Sequence, residues 1–167
     1  KNNTINEHHK KRENGIVKNQ DTLENQVKSV YLGIGSNLGN RKKNIILAKQ
    51  FLLNSNVDIV VSSSYYESVS WPNSKFPKYI NIVILVKTFL DPEKLLNLCK
   101  KIEKKLGRKK RKKNDPRTCD IDIIDYDHKV YISRLNSLLT IPHKEICNRS
   151  FVLLPLYEIS RSWKHPK

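Results

Sequence analysis

The stretch Arg117-Thr-Cys-Asp-Ile-Asp-Ile-Ile124 alternates charge with apolar bulk. Asp120 and Asp122 take one parity and Ile121 and Ile123 the other, which is the pattern of a half-buried β-strand. On such a strand both carboxylates point to one face, their Cα atoms about 6.6 Å apart at ~3.3 Å per residue. That spacing suits one or two hard cations clamped between protein and phosphate. Mg²⁺ takes one or two carboxylates and leaves its other positions to water and substrate oxygens. Arg117, just ahead of the strand, offers a planar fork for a phosphate. Arg108-Lys-Lys-Arg-Lys-Lys113 adds a cationic segment beside it. The bland alternative is the wet face of a half-buried sheet next to a solvated basic loop, and the Asp pair alone does not choose between them.

The flanking elements fix the fold class. Upstream, Asp91-Pro92-Glu93 is a helix start, with Leu95, Leu98, Cys99, Ile102 and Leu106 on one face and Gly107 as the stop. Before it, Tyr79 to Thr88 reads as an apolar strand, residues 68–78 as a loop holding Trp71, Pro72 and Pro77, and 57–66 as a strand. A helix over 41–54, capped by Asn40, carries Ile45, Ala48 and Leu52 on one face. A strand over 27–34 and a turn from Gly35 to Asn40 precede it. Downstream come a turn at Asp127-His128, a short strand at 130–132, a loop at Ile141-Pro142-His143 and a short helix within 148–160. The order strand–helix–strand–strand–helix–strand predicts an α+β, ferredoxin-like βαββαβ core, an antiparallel sheet with helices packed on one face.

Composition sets the boundaries. The 167 residues are enough for one domain with a sizeable core. With 32 Lys+Arg against 16 Asp+Glu, the net charge of +16 attracts anions of every kind and chooses none. Cys99, Cys119 and Cys147 lie far apart without a C-x-x-C, so they read as reduced packing thiols of a cytoplasmic protein, not a disulfide or zinc framework. No apolar run reaches membrane-spanning length. Residues 1–26 are too polar to offset ordering entropy and read as a disordered leader, leaving 27–167 as the folded domain. The chain begins at Lys1 and holds no Met, so it reads as an excerpt of a longer product, whose upstream targeting stays open.

Three further constellations bear on function, each with a plain alternative. Gly33-Ile-Gly-Ser-Asn-Leu-Gly39 has the look of a dinucleotide fingerprint, but its third Gly falls one residue late and 57–88 lacks a crossover helix, so a structural turn is expected. Tyr79 and Asn81 share a strand face, and with Phe151 they make the rings and amide that a flat heterocycle needs; core packing accounts for them equally. Arg108, Lys110, Arg111 and Arg117 suit a triphosphate, or an RNA-contacting loop; His143 after Pro142 is a phosphate donor or a surface residue. An RNA-binding domain on the same fold is the rival of another class, and the chain lacks the aromatic RNP string such domains carry.

Several ordered pieces together resemble one family. They are Gly35-Ser-Asn-Leu-Gly39, Tyr79-Ile-Asn81, Ile102-Glu103 with Leu106-Gly107-Arg108, Pro116-Arg117-x-x-Asp120-Ile-Asp122-Ile-Ile124, Pro142-His143 and Asn148-Arg149-Ser-Phe151-Val-Leu-x-Pro155-Leu. This set, spread from about Val27 to Pro166, is similar to the 6-hydroxymethyl-7,8-dihydropterin pyrophosphokinases of folate biosynthesis. The resemblance implies transfer of the β,γ-pyrophosphoryl group of ATP to the pterin hydroxymethyl oxygen, leaving AMP. It implies two Mg²⁺ ions on Asp120 and Asp122, in the two-metal manner, and Arg108 and Arg117 as catalytic arginines of a mobile loop. Lys110, Arg111, Ile123, Thr140, His143 and Arg149 match further ATP-side positions. Tyr79 and Phe151 match the rings that sandwich the pterin, Asn81 its edge reader, and Ser68, Val69 and Trp71 the pterin loop. Glu103 aligns with a family acid to which no role attaches. The implied partners are ATP and the pterin, with no specific nucleic acid and no membrane. The alternative arrangement is a weakly active module of a bifunctional folate enzyme, with fusion to or association with dihydropteroate synthase. Four features depart from the pattern. Asp115 precedes the Pro-Arg where a Gly or Ala is usual, the loop aromatic is missing with Asn114 nearest, the basic loop is one residue shorter than in some members, and the family's final segment is absent after Lys167.

Overall fold

The computed structural model describes residues 26–109, 114–133 and 139–166. Its elements are β1 (Lys28–Ser36), α1 (Arg41–Leu53), β2 (Asp58–Ser62), β3 (Tyr66–Ser68), β4 (Tyr79–Thr88), α2 (Pro92–Lys105), β5 (Asp120–Tyr126), β6 (Tyr131–Ile132), β7 (Thr140–Ile141), a 3₁₀ turn (Ile146–Asn148) and α3 (Ser150–Ile159). The leader expected over 1–26 lies outside the described residues except for Gln26. The main sheet runs β2–β4–β1–β5, with β3 beside the start of β4, and every neighbouring pair is antiparallel. This is the ferredoxin-like strand order that the βαββαβ pattern predicts. The strand that carries Asp120 and Asp122, β5, is an edge strand.

Parity divides the sheet. Val30, Leu32 and Ile34 of β1, Ile80, Ile82, Ile84 and Val86 of β4, and Ile121 and Ile123 of β5 point to one side. There they meet Ile45, Ala48 and Leu52 of α1 and Leu95, Cys99 and Ile102 of α2. Both helices begin as the sequence asks: Asn40 Oδ1 accepts from the Lys43 N–H at 3.1 Å, and Asp91 Oδ1 from the Lys94 N–H at 2.8 Å. The expectation of helices on one face holds for α1 and α2. The third helix covers the opposite face, where Val152 and Leu156 pack on Val83, Ile124 and Ile146.

Two details differ from the sequence reading. The single strand expected over 57–66 is broken, because the Ser63 hydroxyl accepts from the Val83 N–H (3.0 Å) while the Ser63 N–H donates to the Val83 carbonyl (2.9 Å). A side-chain oxygen thus takes the place of a ladder carbonyl, as Ser readily does. Gly35 lies inside β1 and does not open the turn. Farther along, a bulge in the β1–β5 pairing accompanies a buried acid, Asp125. Its carboxylate accepts from the His128 N–H (2.9 Å) and from the Trp163 indole N–H (2.9 Å), tying the segment after α3 to the sheet. Cys99 and Cys119 are buried free thiols, and Cys147 is exposed. No helix among the described residues is long and apolar enough to cross a membrane.

Candidate active site

Asp120 and Asp122 project from the α3 side of β5. Across the ladder Asp120 lies opposite Gly35, which lies opposite Asn81; Asp122 lies opposite Gly33. One sheet face therefore carries a row of acid, glycine and amide. A Cβ on Gly35 would fall 2.9 Å from Asn81 Oδ1 and 3.4 Å from Tyr79 Cδ1. On Gly33 it would meet Ile124 Cδ1 at 3.2 Å. Gly35 is the floor between Asp120 and the Tyr79–Asn81 pair, whereas Gly33 lies between Asp122 and Val83. Glycine inside a strand is the usual mark of a close approach by ligand or backbone.

Three arginines converge on the acids. Arg108 Nη1 sits 2.5 Å from Asp120 Oδ1, Arg117 Nη1 2.9 Å from Asp120 Oδ2, and Arg149 Nη1 3.2 Å from Asp122 Oδ2. Each position has a local cause. Gly107 adopts the left-handed conformation (φ 85°) that ends α2; its N–H donates to the Lys104 carbonyl, and the next N–H, of Arg108, donates to the Glu103 carbonyl. This Schellman closure places Arg108 immediately beyond the helix. Arg117 is pinned by Asn37, which is 1% exposed. The Arg117 N–H donates to Asn37 Oδ1 (2.8 Å) and its carbonyl accepts from the Asn37 N–H (3.1 Å). The Asn37 amide also donates to Ser70 Oγ and to the Pro77 carbonyl, both at 3.2 Å, so one side chain ties the 69–78 loop to the entry of β5. Arg149 spans from Asp122 to the face of Phe151, 5.8 Å from the ring centroid.

The electrostatics separate the two acids. Burial pushes Asp120 upward, but Arg117 and Arg108 outweigh it and hold the carboxyl below its ordinary range. Burial and the neighbouring Asp120 charge raise Asp122, against His143 and Arg149. Burial lowers His143, with Asp122 pulling the other way. His143 Nδ1 accepts from the Glu145 N–H at 3.2 Å, so the neutral ring carries its proton on Nε2. Burial also raises the Tyr79 hydroxyl, opposed by Arg117.

The other expected residues divide. Asn81 donates to Ser68 Oγ at 2.9 Å, and Phe151 begins α3 half-buried over the same sheet face. Val69 and Trp71 are solvent-exposed, Trp71 at 78%. Thr140 pairs with Ile132 between β7 and β6. The Ile123 side chain is buried in the core on the far face, so a nucleotide contact there falls to its main chain. Lys110 and Arg111 lie outside the described residues. The placement of Gly35 between Asp120 and Asn81, and the bonds of Asn37, go beyond the sequence reading. The G-x-G spacing inside an otherwise alternating strand was the available signal.

Among the described residues no cluster of three or more His, Cys, Asp or Glu side chains is arranged to hold a metal. Two hard carboxylates without a third protein ligand suit Mg²⁺, which completes its shell with water and phosphate, better than a structural zinc cage.

The family model described as 7,8-dihydro-6-hydroxymethylpterin-pyrophosphokinase matches residues 31–161. This chain belongs to that family. The 2-amino-4-hydroxy-6-hydroxymethyldihydropteridine pyrophosphokinase of Aquifex aeolicus is 40% identical over 138 residues, covering 83% of this chain and 84% of the relative. The Haemophilus influenzae pyrophosphokinase is 35% identical over 133 residues, 79% and 81% of the two chains. A Pneumocystis carinii "Folic acid synthesis protein fol1" is 39% identical over 153 residues, but this chain spans only 20% of its length. Among solved structures, wild-type Plasmodium falciparum HPPK-DHPS with pteroate superposes with a TM-score of 0.66 at 16% identity, over 84% of this chain and 40% of that one. That likeness supports the fold. The chain is thus a pyrophosphokinase domain of folate synthesis, of a kind found both alone and within longer chains.

Proposed function

We propose that residues 27–167 transfer the pyrophosphoryl group of ATP to the hydroxymethyl oxygen of 6-hydroxymethyl-7,8-dihydropterin and release AMP. The observation that carries the reading is the row Asp120–Gly35–Asn81 on one sheet face, with arginines at its acidic end and rings at the other. A flat heterocycle fits over the glycine, stacked between Tyr79 and Phe151, with its polar edge on Asn81 and Ser68 and with Val69 and Trp71 folding over it. The triphosphate belongs at the acidic end. Arg108, Arg117, Lys110 and Arg111 neutralise it, while His143, Arg149, Thr140 and the Ile123 main chain hold the nucleotide. Asp120 and Asp122 would hold two Mg²⁺ ions, which supply charge neutralisation and an acidified hydroxyl when bound.

The chain's own work is alignment and charge stabilisation, as in other phosphoryl transfers. In the structure Arg108 and Arg117 pair with Asp120, and were cations to hold that carboxylate both guanidiniums would be free to meet the phosphates. Asn37 links the Arg117 main chain to the 69–78 loop, so the pterin side and the phosphate side share a hinge point. The RNA-binding rival needs an open sheet face, and α3 lies over it. A cytoplasmic setting, and fusion to or association with dihydropteroate synthase, complete the proposal; the HPPK-DHPS structures favour the fusion.

The test is to mix the protein with ATP, Mg²⁺ and the hydroxymethyl-dihydropterin and to measure products. AMP and the pterin diphosphate should appear in equal amounts. ADP in place of AMP, or AMP formation independent of the pterin, would refute the reaction.

A further inference from the structure

Glu103 stands out among the charged groups the mechanism above does not use. Its side chain is 2% exposed, on a helix whose remaining buried residues are apolar or Cys99. It nevertheless has a full set of partners, and two of them, Ile121 and Arg108, lead to the acids. Oε1 accepts from the Ile121 N–H at 2.8 Å and from Lys100 Nζ at 2.9 Å. Oε2 pairs with Arg108 Nη1 at 2.6 Å. The Glu103 carbonyl accepts from the Arg108 N–H at 3.0 Å.

Two consequences follow from this arrangement. Ile121 lies between Asp120 and Asp122, and β5 is the sheet edge, so its outward N–H has no strand partner. Glu103 fills that position and fixes the main chain between the two acids. Arg108, in turn, is held at both ends by the same residue while its guanidinium bridges Glu103 and Asp120. A buried carboxylate that loses its sole cation is strongly destabilising. Here Lys100 remains when Arg108 leaves, so departure does not strand the charge.

We infer that Glu103 is a positioning residue of this site: it parks Arg108 against Asp120 and sets the spacing of the acid pair, with Lys100 as the counter-charge that lets Arg108 turn to the phosphates. The inference rests on the pyrophosphoryl-transfer reading above.

The experiment is a double-mutant cycle read by steady-state kinetics and thermal melting. Glu103→Gln keeps an acceptor for Ile121 and removes the charge. It should lower kcat by about ten- to a hundredfold, the range that losing a charge-assisted contact gives, with KM for the pterin little changed. In an Arg108→Ala background the same change should cost no further activity, since Glu103 acts through Arg108. Lys100→Met should slow the wild type and have no effect on top of Glu103→Gln. Additive losses in the Arg108 cycle, or a Glu103→Gln enzyme with wild-type kcat, would overturn the role. So would a melting-temperature drop with unchanged kcat. An inactive wild type would instead refute the reaction itself.

Discussion

Replacing Gly35 by Ala tests whether the glycine floor serves the ligand. The added Cβ would sit 2.9 Å from Asn81 Oδ1 and 3.4 Å from a Tyr79 ring carbon. The first distance is too short to persist, so the Asn81 amide must turn, and its 2.9 Å bond to Ser68 goes with it. Overpacking of this kind costs about 1–3 kcal/mol. Removing a glycine from the unfolded chain returns about 0.4–1 kcal/mol. The net loss is therefore about 1 kcal/mol, a fall of about 2–4 °C in melting temperature for a chain of this size. The functional loss should be larger and selective. A misplaced amide that reads a heterocycle edge loses a contact, so KM for the pterin should rise by about tenfold while KM for ATP stays near wild type. Gly33→Ala is the control. Its Cβ meets Ile124 at 3.2 Å, a buried side chain away from Asn81 and Tyr79, so any loss should appear in melting and leave the pterin KM near the parent's. Thermal melts and KM for each substrate decide the matter. A Gly35→Ala protein with wild-type stability and pterin KM would show that the floor is not where the heterocycle lies.

The acid pair should respond with opposite signs in the metal-free protein at pH 7. Asp120 is held low, so its stabilisation is present above the unfolded value of about 3.9 and lost as pH falls through the folded one; Asp120→Asn should lower the melting temperature. Asp122 is held high by burial and by Asp120, so its charged form costs stability above its raised value, and Asp122→Asn should raise the melting temperature. Both changes should cut Mg²⁺-dependent turnover by more than the ~100-fold that losing an outer-shell partner costs; near-normal rates would remove the metal assignment. Arg117→Ala should depress kcat by about a hundredfold and lower the melting temperature no further than Asp120→Asn does, because Arg108 stays on Asp120 and the Arg117 main-chain bonds to Asn37 survive; unchanged single-turnover rates would take it out of the site. Asp91→Ala should cost about 1 kcal/mol as a lost helix cap. Burial opposes ionisation of Asp91, yet the Lys94 N–H and ammonium hold it low. The difference between variant and parent should therefore shrink as pH falls through the depressed folded value of Asp91, below the ordinary carboxylate range, and a pH-independent difference would contradict the charged cap.

The parts of this fold that repeat were legible. β1, β4 and β5 alternate or run apolar for seven to ten residues, and α2 shows its stripe and both caps, so the strand order followed from connection rules. The Asp pair was visible because parity alone places both carboxylates together. What escaped depended on single hydrogen bonds or on tertiary neighbours. The Ser63 hydroxyl that splits β2 from β3 has no periodic signature, and β7 is two residues long. Nothing local says that α3 packs on the opposite face from α1 and α2; its burial there depends on Val83 and Ile124, distant in sequence. Asn37 looked like an ordinary turn residue, since its partners lie 33, 40 and 80 residues away. Ile123 entered as a nucleotide contact through resemblance, whereas parity alone puts its side chain in the core.

The chain has two tryptophans, and the fold has placed them in contrasting surroundings. Trp71 stands in solvent on the 69–78 loop; Trp163 is half-buried, its indole N–H bonded to the buried Asp125. Their intrinsic fluorescence is therefore a built-in pair of reporters. The red-shifted emission should follow events at the 69–78 loop, and the blue-shifted emission should change only when the segment beyond α3 detaches from the sheet, so substrate titrations and denaturation can be followed in one unlabelled sample at separate wavelengths.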